Sequence, residues 1–164
     1  MQDFIQHARD FLPILLQGAV VTVQVTVLSF LLSSVLGLVL ALGKLSRIKA
    51  VSVVSSTIIN VIRGLPIIVQ LFYIYFVLPD FGIQLSAMQA GVIGLGIAYS
   101  AYQAENFRAG IEAVDPGQRE AALAMGMRPA MLMRRVILPQ AFRIALPPYG
   151  NTLVMMLKDS SLVS

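Results

Sequence analysis

Residues 14–42 contain no charged side chain, and three further apolar stretches follow at 55–78, 87–107 and 142–164. A helix needs about 20 mostly apolar residues to cross the hydrocarbon of a bilayer, and each stretch is long enough. The expected architecture is therefore an all-α polytopic membrane bundle, a single transmembrane domain over 1–164 with at least four spans. Composition agrees. The chain has 164 residues, 57% hydrophobic and only 12% charged, where soluble domains carry roughly 25% charged residues. Its mean hydropathy is +0.81.

The same composition excludes several kinds of chemistry. There are no cysteines, so no disulfide framework, thiol nucleophile or cysteine metal site is available. His7 is the only histidine and would have to act alone in any metal or Ser-His site. No G-x-x-x-x-G-K-[ST] run occurs, so the chain has no phosphate-binding loop of its own. Gly91, Gly94 and Gly96 lie in an apolar run with no strand before them, which favours helix packing over a ligand loop. No catalytic residue, metal site or cofactor is expected on this chain. Residues 1–13 include Asp3, His7, Arg9 and Asp10 and lack the basic start of a cleaved signal peptide, so the first span is expected to be retained.

The cations set the orientation. Lys44, Arg47, Lys49, Arg108, Arg119, Arg128, Arg134, Arg135 and Arg143 fall on one side, Arg9 alone on the other, and Arg63 and Lys158 inside spans. The net charge of +4 thus follows a membrane topology and does not suggest nucleic acid. Cytoplasmic loops carry the excess of Lys and Arg, which places 109–140 in the cytoplasm and the N-terminus outside. The fourth span then enters from the cytoplasm, meets Lys158 and Asp159, and reaches the last residue, Ser164. A helix ending mid-membrane leaves backbone groups without partners, so the expectation is truncation before a fifth span.

Two stripes of small residues recur at helical spacing: Gly18, Thr22, Thr26, Ser29, Ser33 and Gly37, then Ser86, Ala90, Gly94 and Ala98. Small faces let helices approach closely in lipid. Packing is the leading reading for both, with a solute path the alternative for the first.

The polar interval 120–140 has its own design. Asp115 can cap a helix, Pro116 suits its first position, and Gln118 can reach back as in a capping box. Gly126 supplies a left-handed residue that ends it. Pro129 restarts a second short helix, and Leu138-Pro139 is expected to stop that one. A helix this short is marginal alone and needs tertiary contacts. It either folds against its own spans or serves as a knob for a cytoplasmic partner, with Arg134 and Arg135 held by anionic lipid or by that partner.

Glu120-Ala121-Ala122, Gly126 and Ile137-Leu138-Pro139 together resemble the EAA loop of ABC importer permeases. The segment from Ile62 through Arg63, Gly64, Leu65 and Pro66 to Phe72 resembles the FRGTPLLVQLF segment of the polar amino acid permeases. Tyr99 to Ile111 is similar to their AAYxAExxRGxI signature, and Lys158-Asp159-Ser160-Ser161-Leu162 to their KDTSL segment. Leu65 and Ser160 stand where threonine is common, and family members usually have a fifth span. The resemblance implies an ATP-driven permease for polar amino acids or related small solutes in a bacterial inner membrane. It implies ATPase coupling through Glu120, Ala121, Ala122, Gly126, Leu138 and Pro139. Its implied partners are a cytoplasmic ABC ATPase that uses ATP and Mg, a periplasmic or lipid-anchored solute-binding protein, and a second permease copy or paralogue. The alternatives are a secondary transporter or channel subunit, which should show a repeat or an acidic ion path, and a non-transporting scaffold.

Charges inside spans cost at least ~2.5 kcal/mol at the bilayer centre and call for a partner or a route out. Arg63 can snorkel to the interface, or act with Gly64 and a kink at Pro66 as a gate. Pro66 cannot donate to Ile62. Glu105 and Arg108 can pair across one turn. Lys158, Asp159, Ser160 and Ser161 offer both charges and two hydroxyls, which suits a zwitterionic amino acid; the competing reading is an interhelical salt bridge. Pro147, Pro148 and Asn151 suggest an irregular helix facing protein or water.

Overall fold

The computed structural model describes the backbone from residue 2 to residue 163 and the side chains of residues 11–161 and 163. The side chains of Asp3, His7, Arg9 and Asp10, and all of Ser164, lie outside that set. The described chain is helical throughout, with no strand: α1 (Gln2–Lys44), α2 (Lys49–Gly64), α3 (Ile67–Phe72), α4 (Ala87–Glu112), α5 (Pro116–Ala124), α6 (Pro129–Leu132) and α7 (Leu138–Asp159). A π-turn (Tyr73–Val77) and a 3-10 turn (Leu78–Phe81) extend α3, a second π-turn (Met133–Ile137) joins α6 to α7, and a 3-10 turn (Ser160–Leu162) follows α7.

α4 is the central helix. It packs along α1 in the most extensive interface of the fold, then against α7, α2 and α3. Small residues make this possible. A Cβ on Gly37 would lie 2.6 Å from Gln103 Cβ and 2.9 Å from the Ser100 carbonyl; one on Gly110 would lie 2.8 Å from the Ala141 carbonyl. Thr26, Ser29, Ser33, Ala90, Gly94 and Ala98 are all buried. Two hydroxyls of the first stripe are spent within α1: Thr26 Oγ1 donates to the Thr22 carbonyl and Ser33 Oγ to that of Phe30, while Ser29 Oγ is buried without a partner among the described residues. From Thr26 inward, both stripes are therefore packing faces. Gly18 is exposed with nothing near it, and Ser86 instead caps α4 in a capping box with Gln89.

Among the described residues, one helix is apolar and long enough to cross a membrane, Phe11–Lys44, with a mean hydropathy of 2.5. Only 33% of its most apolar window is buried, unlike the core helix of a soluble protein. Lys49–Gly64 and Ile67–Phe81 pass that test together, but they are bent by 99°. α4 and α7 are less apolar. α4 is enclosed by the other helices, and α7 carries Arg143, Lys158, Asp159 and three prolines.

Three local expectations need correction. Leu138-Pro139 does not stop a helix: α6, the π-turn and α7 run on without interruption from Pro129 to Asp159. The π-turn provides the reason, since Leu138 N–H donates five residues back, to Met133, and this changes the register just where Pro139 has no N–H to give. Gln118 does not reach back to Asp115. Its amide oxygen lies 3.5 Å from Gln140 Nε2, and Asp115 caps Gly117 N–H alone, at 2.6 Å. Pro147 and Pro148 do not break α7, which stays α-helical through both.

Candidate functional site: a coupling knob and a polar cluster

α5 ends in a paired set of hydrogen bonds. Met127 N–H donates to the Ala122 carbonyl and Gly126 N–H to that of Leu123, with Gly126 at φ +74°. This is the Schellman arrangement, which requires a left-handed residue at that position. The reversal folds α5 onto the start of the next helix. Ala122, Leu132, Ile137 and Ala141 form a small core with Val114. Of the alanines in the motif, Ala122 therefore points inward, while Glu120 and Ala121 are exposed. Leu138 and Pro139 are exposed too, on the far side of the π-turn. The structure adds two residues that the sequence reading passed over. Leu123 is 48% and Met125 79% exposed, so the outward face of the knob carries apolar bulk beside Glu120.

At the other end of α7, Asp159 is half-buried and accepts a hydrogen bond of 2.6 Å from Tyr99 Oη. The Tyr99 ring lies 5.8 Å from that of Tyr102, and the Arg63 guanidinium stands 5.5 Å over Tyr102. A cation, two aromatic rings and a carboxylate thus line up from the break in the second apolar stretch to the end of α7. Lys158 is exposed and takes no part in this line. Ser160 Oγ and Ser161 Oγ each donate 2.7 Å bonds to carbonyls of the preceding turn, Leu157 and Lys158. Asp159 and Arg63 are thus connected only through Tyr99 and Tyr102. Tyr99 and Tyr102 stood in the sequence reading only as part of a resembling segment; no spacing signal marked them as partners of Asp159 and Arg63.

The break itself is held by a side chain. α2 ends at Gly64, and Gln70 Nε2 donates to the carbonyls of Ile62 at 2.9 Å and Leu65 at 3.0 Å. Pro66 leaves the Ile62 carbonyl without its usual helical donor, and the amide supplies one. One turn after Tyr102 on α4, Glu105 pairs with Lys44 at 2.6 Å and with Arg108 at 2.8 Å, and Arg108 also pairs with Glu112. The Glu105–Arg108 pair is thus one edge of a network that ties α1 to α4. Asn106 Nδ2 donates to Thr152 Oγ1 at 3.0 Å and so links α4 to α7.

Residues 33–164 match the family model described as binding-protein-dependent transport system inner membrane component. The chain belongs to that family. A probable amino-acid ABC transporter permease of Sinorhizobium fredii is 44% identical over 96% of this chain and 68% of its own length. The L-cystine transport system permease of Bacillus subtilis is 40% identical over 99% of this chain and 68% of its own. The crystal structure of an amino acid ABC transporter with histidines superimposes with a TM-score of 0.92 at 46% identity, covering 96% of this chain and 74% of that one. An inward-facing methionine ABC transporter shares the fold alone, with a TM-score of 0.74 at 24% identity and coverage of 93% and 74%. Membership makes this chain an integral inner-membrane component of an ABC importer, a permease subunit and not an enzyme. It removes the channel, secondary-transporter and scaffold readings.

Proposed function

We propose that this permease carries polar amino acids or related small solutes, driven by a separate ATPase that docks on α5. The observation that carries the reading is the folded knob. It buries Ala122 and presents Glu120, Ala121, Leu123 and Met125 outward. A helix this short is held by its tertiary contacts rather than by itself, so movement of the knob pulls on α7 through Leu132 and Ile137. ATP and Mg belong to the ATPase subunit. When two ATPases close, they draw two knobs together, and the membrane helices pass from inward-open to outward-open. Only a difference in the ATPases' affinity for the two states can drive that shift.

The amino-acid cargo is proposed from the relatives' names and from Asp159, which offers an acceptor to an ammonium group. Four spans are proposed: α1, the broken pair α2–α3, α4 and α7. In this arrangement the N-terminus is extracytoplasmic and the knob cytoplasmic. A solute-binding protein on the outer side and a second permease subunit complete the assembly. Glu120→Lys sets a cation where the docking face has an anion, and Gly126→Val strains the left-handed turn. Both variants should enter the membrane at normal levels, yet lose ATP-driven uptake and substrate-stimulated ATP hydrolysis in proteoliposomes. Wild-type rates for both variants would remove α5 from the coupling path.

A further inference from the structure

An open apolar groove of about 580 Å³ runs between α1, α4 and α7, with walls that include Leu38, Phe107, Leu138, Phe142, Ala145 and Tyr149. Along α7 it spans the turns from Leu138 to Tyr149, about 16 Å at ~1.5 Å per residue. That is a narrow apolar slot with the reach of a fatty acyl chain. Its floor includes Ala141 and Ala145, both buried, while Phe142 on its rim is 68% exposed.

The end of the groove nearest the knob is basic. Arg134 and Arg135 lie four and three residues before Leu138 on the same continuous helix, in the π-turn that leads directly into the groove's first residue. Arg143 adjoins Phe142. All three arginines are exposed, and none has an ion-pair partner among the described residues. The carboxylates on α4 at this level, Glu105 and Glu112, are already taken by Arg108 and Lys44. An apolar slot with unpaired cations at one mouth is complementary to an anion on a hydrocarbon tail.

We propose that this groove binds an anionic phospholipid, one acyl chain lying along α7 and the phosphate held by Arg134 and Arg135. This goes beyond the transport reading. It needs only that the chain sits in a bilayer, and neither the cargo nor the ATPase enters the argument.

The chain has no tryptophan, so an introduced one reports its own surroundings. Phe142→Trp places it on the groove rim. Val39→Trp places it on α1, at an exposed site outside the groove. The purified permease would be reconstituted in phosphatidylcholine vesicles containing phosphatidylglycerol, with bromine on the chains of one lipid or the other. At Phe142→Trp, brominated phosphatidylglycerol should be the preferred quencher by roughly fivefold to thirtyfold, the scale set by one or two arginines near an anionic headgroup. At Val39→Trp the preference should be near one. Adding Arg134→Gln and Arg135→Gln to Phe142→Trp should abolish the preference while leaving quenching by both lipids. A preference near one at Phe142→Trp overturns the proposal. So does an absence of quenching by either lipid, which would mean that protein, such as a second permease copy, covers the groove. The arginines and Phe142 are exposed, so these variants should fold; intact membrane insertion of each would be checked alongside.

Discussion

Tyr99 is the residue that changes most in meaning once the fold is known. In sequence it is one tyrosine in an apolar helix. In space its hydroxyl holds Asp159 at 2.6 Å, 60 positions away. A carboxylate that accepts one bond from a phenol has further lone pairs to offer. It can therefore grip a substrate ammonium while Tyr99 fixes its position. Asp159→Asn should raise the half-saturation for uptake about 10- to 150-fold, the loss of one charge-assisted hydrogen bond at roughly 1.5–3 kcal/mol. Tyr99→Phe keeps the ring beside Tyr102 and removes only the positioning bond, so its effect should have the same sign and be smaller. The measurement is uptake over a range of substrate concentrations in the assembled transporter. If half-saturation is unchanged in both variants while the melting temperature falls equally, the pair is a structural clasp. Arg63 belongs to the same scale. It stacks over Tyr102 instead of standing alone in the apolar phase, which answers its desolvation cost with a cation–π contact.

At the scale of elements, the bend between α2 and α3 is the feature most specific to this fold. A turn of 99° leaves carbonyls that a straight helix would have satisfied, and Gln70 takes two of them. Gln70→Leu keeps the volume and deletes both bonds. Ile62 keeps only the 3.4 Å bond from Leu65 N–H, and the lost bonds are partly exposed ones worth about 0.5–1.5 kcal/mol each; each kcal/mol shifts the melting point of a chain this size by roughly 2–4 °C. A thermal melt of the purified variant should fall by several degrees; an unchanged melt would mean that water replaces the amide. How much of this was legible is uneven, for physical reasons. Pro66 announced a break, because a residue without an N–H has a fixed local consequence. Gly126 announced a left-handed turn for the same kind of reason. The small stripes announced packing, since a period of four can be read along one helix. Gln70 and Tyr99 showed only as members of resembling segments and Lys44 only as a topology-setting cation; their contacts were not announced. Their roles depend on partners set by tertiary approach, and a single helix has no signal for those. Leu138-Pro139 misled because the stop signal was valid locally, but a π-turn absorbed it. The inward face of Ala122 was hidden as well, because α5 is too short for its own periodicity to show which side faces the core.

For the whole molecule, the question is which way this bundle sits in its bilayer. α1 runs from the N-terminus to Lys44, and the cations that follow cluster at the same end of the bundle as the knob. Lys44 is held there by Glu105 near the end of α4. The knob lies just beyond that end, since Val114 after α4 packs with Ala122 and Ile137. The link between α3 and α4, at the opposite end, carries Asp80 and no cation. One end of the molecule is thus strongly basic and the other is not, and because cytoplasmic loops carry the excess of Lys and Arg, the proposed orientation puts the basic end in the cytoplasm. The chain lacks cysteine, so single introduced thiols can read this directly. Gly117 and Asp80 are both exposed and stand at the two ends. In intact cells, Asp80→Cys should react with a membrane-impermeant maleimide, and Gly117→Cys should react only after the membrane is opened. The reverse pattern would turn the permease over, put the knob out of reach of any cytoplasmic ATPase, and remove the basis for coupling through α5. Equal labelling of both sites before permeabilisation would mean that Lys44, Arg47 and Lys49 do not anchor α1, and that orientation is set by contacts with other subunits instead of by charge.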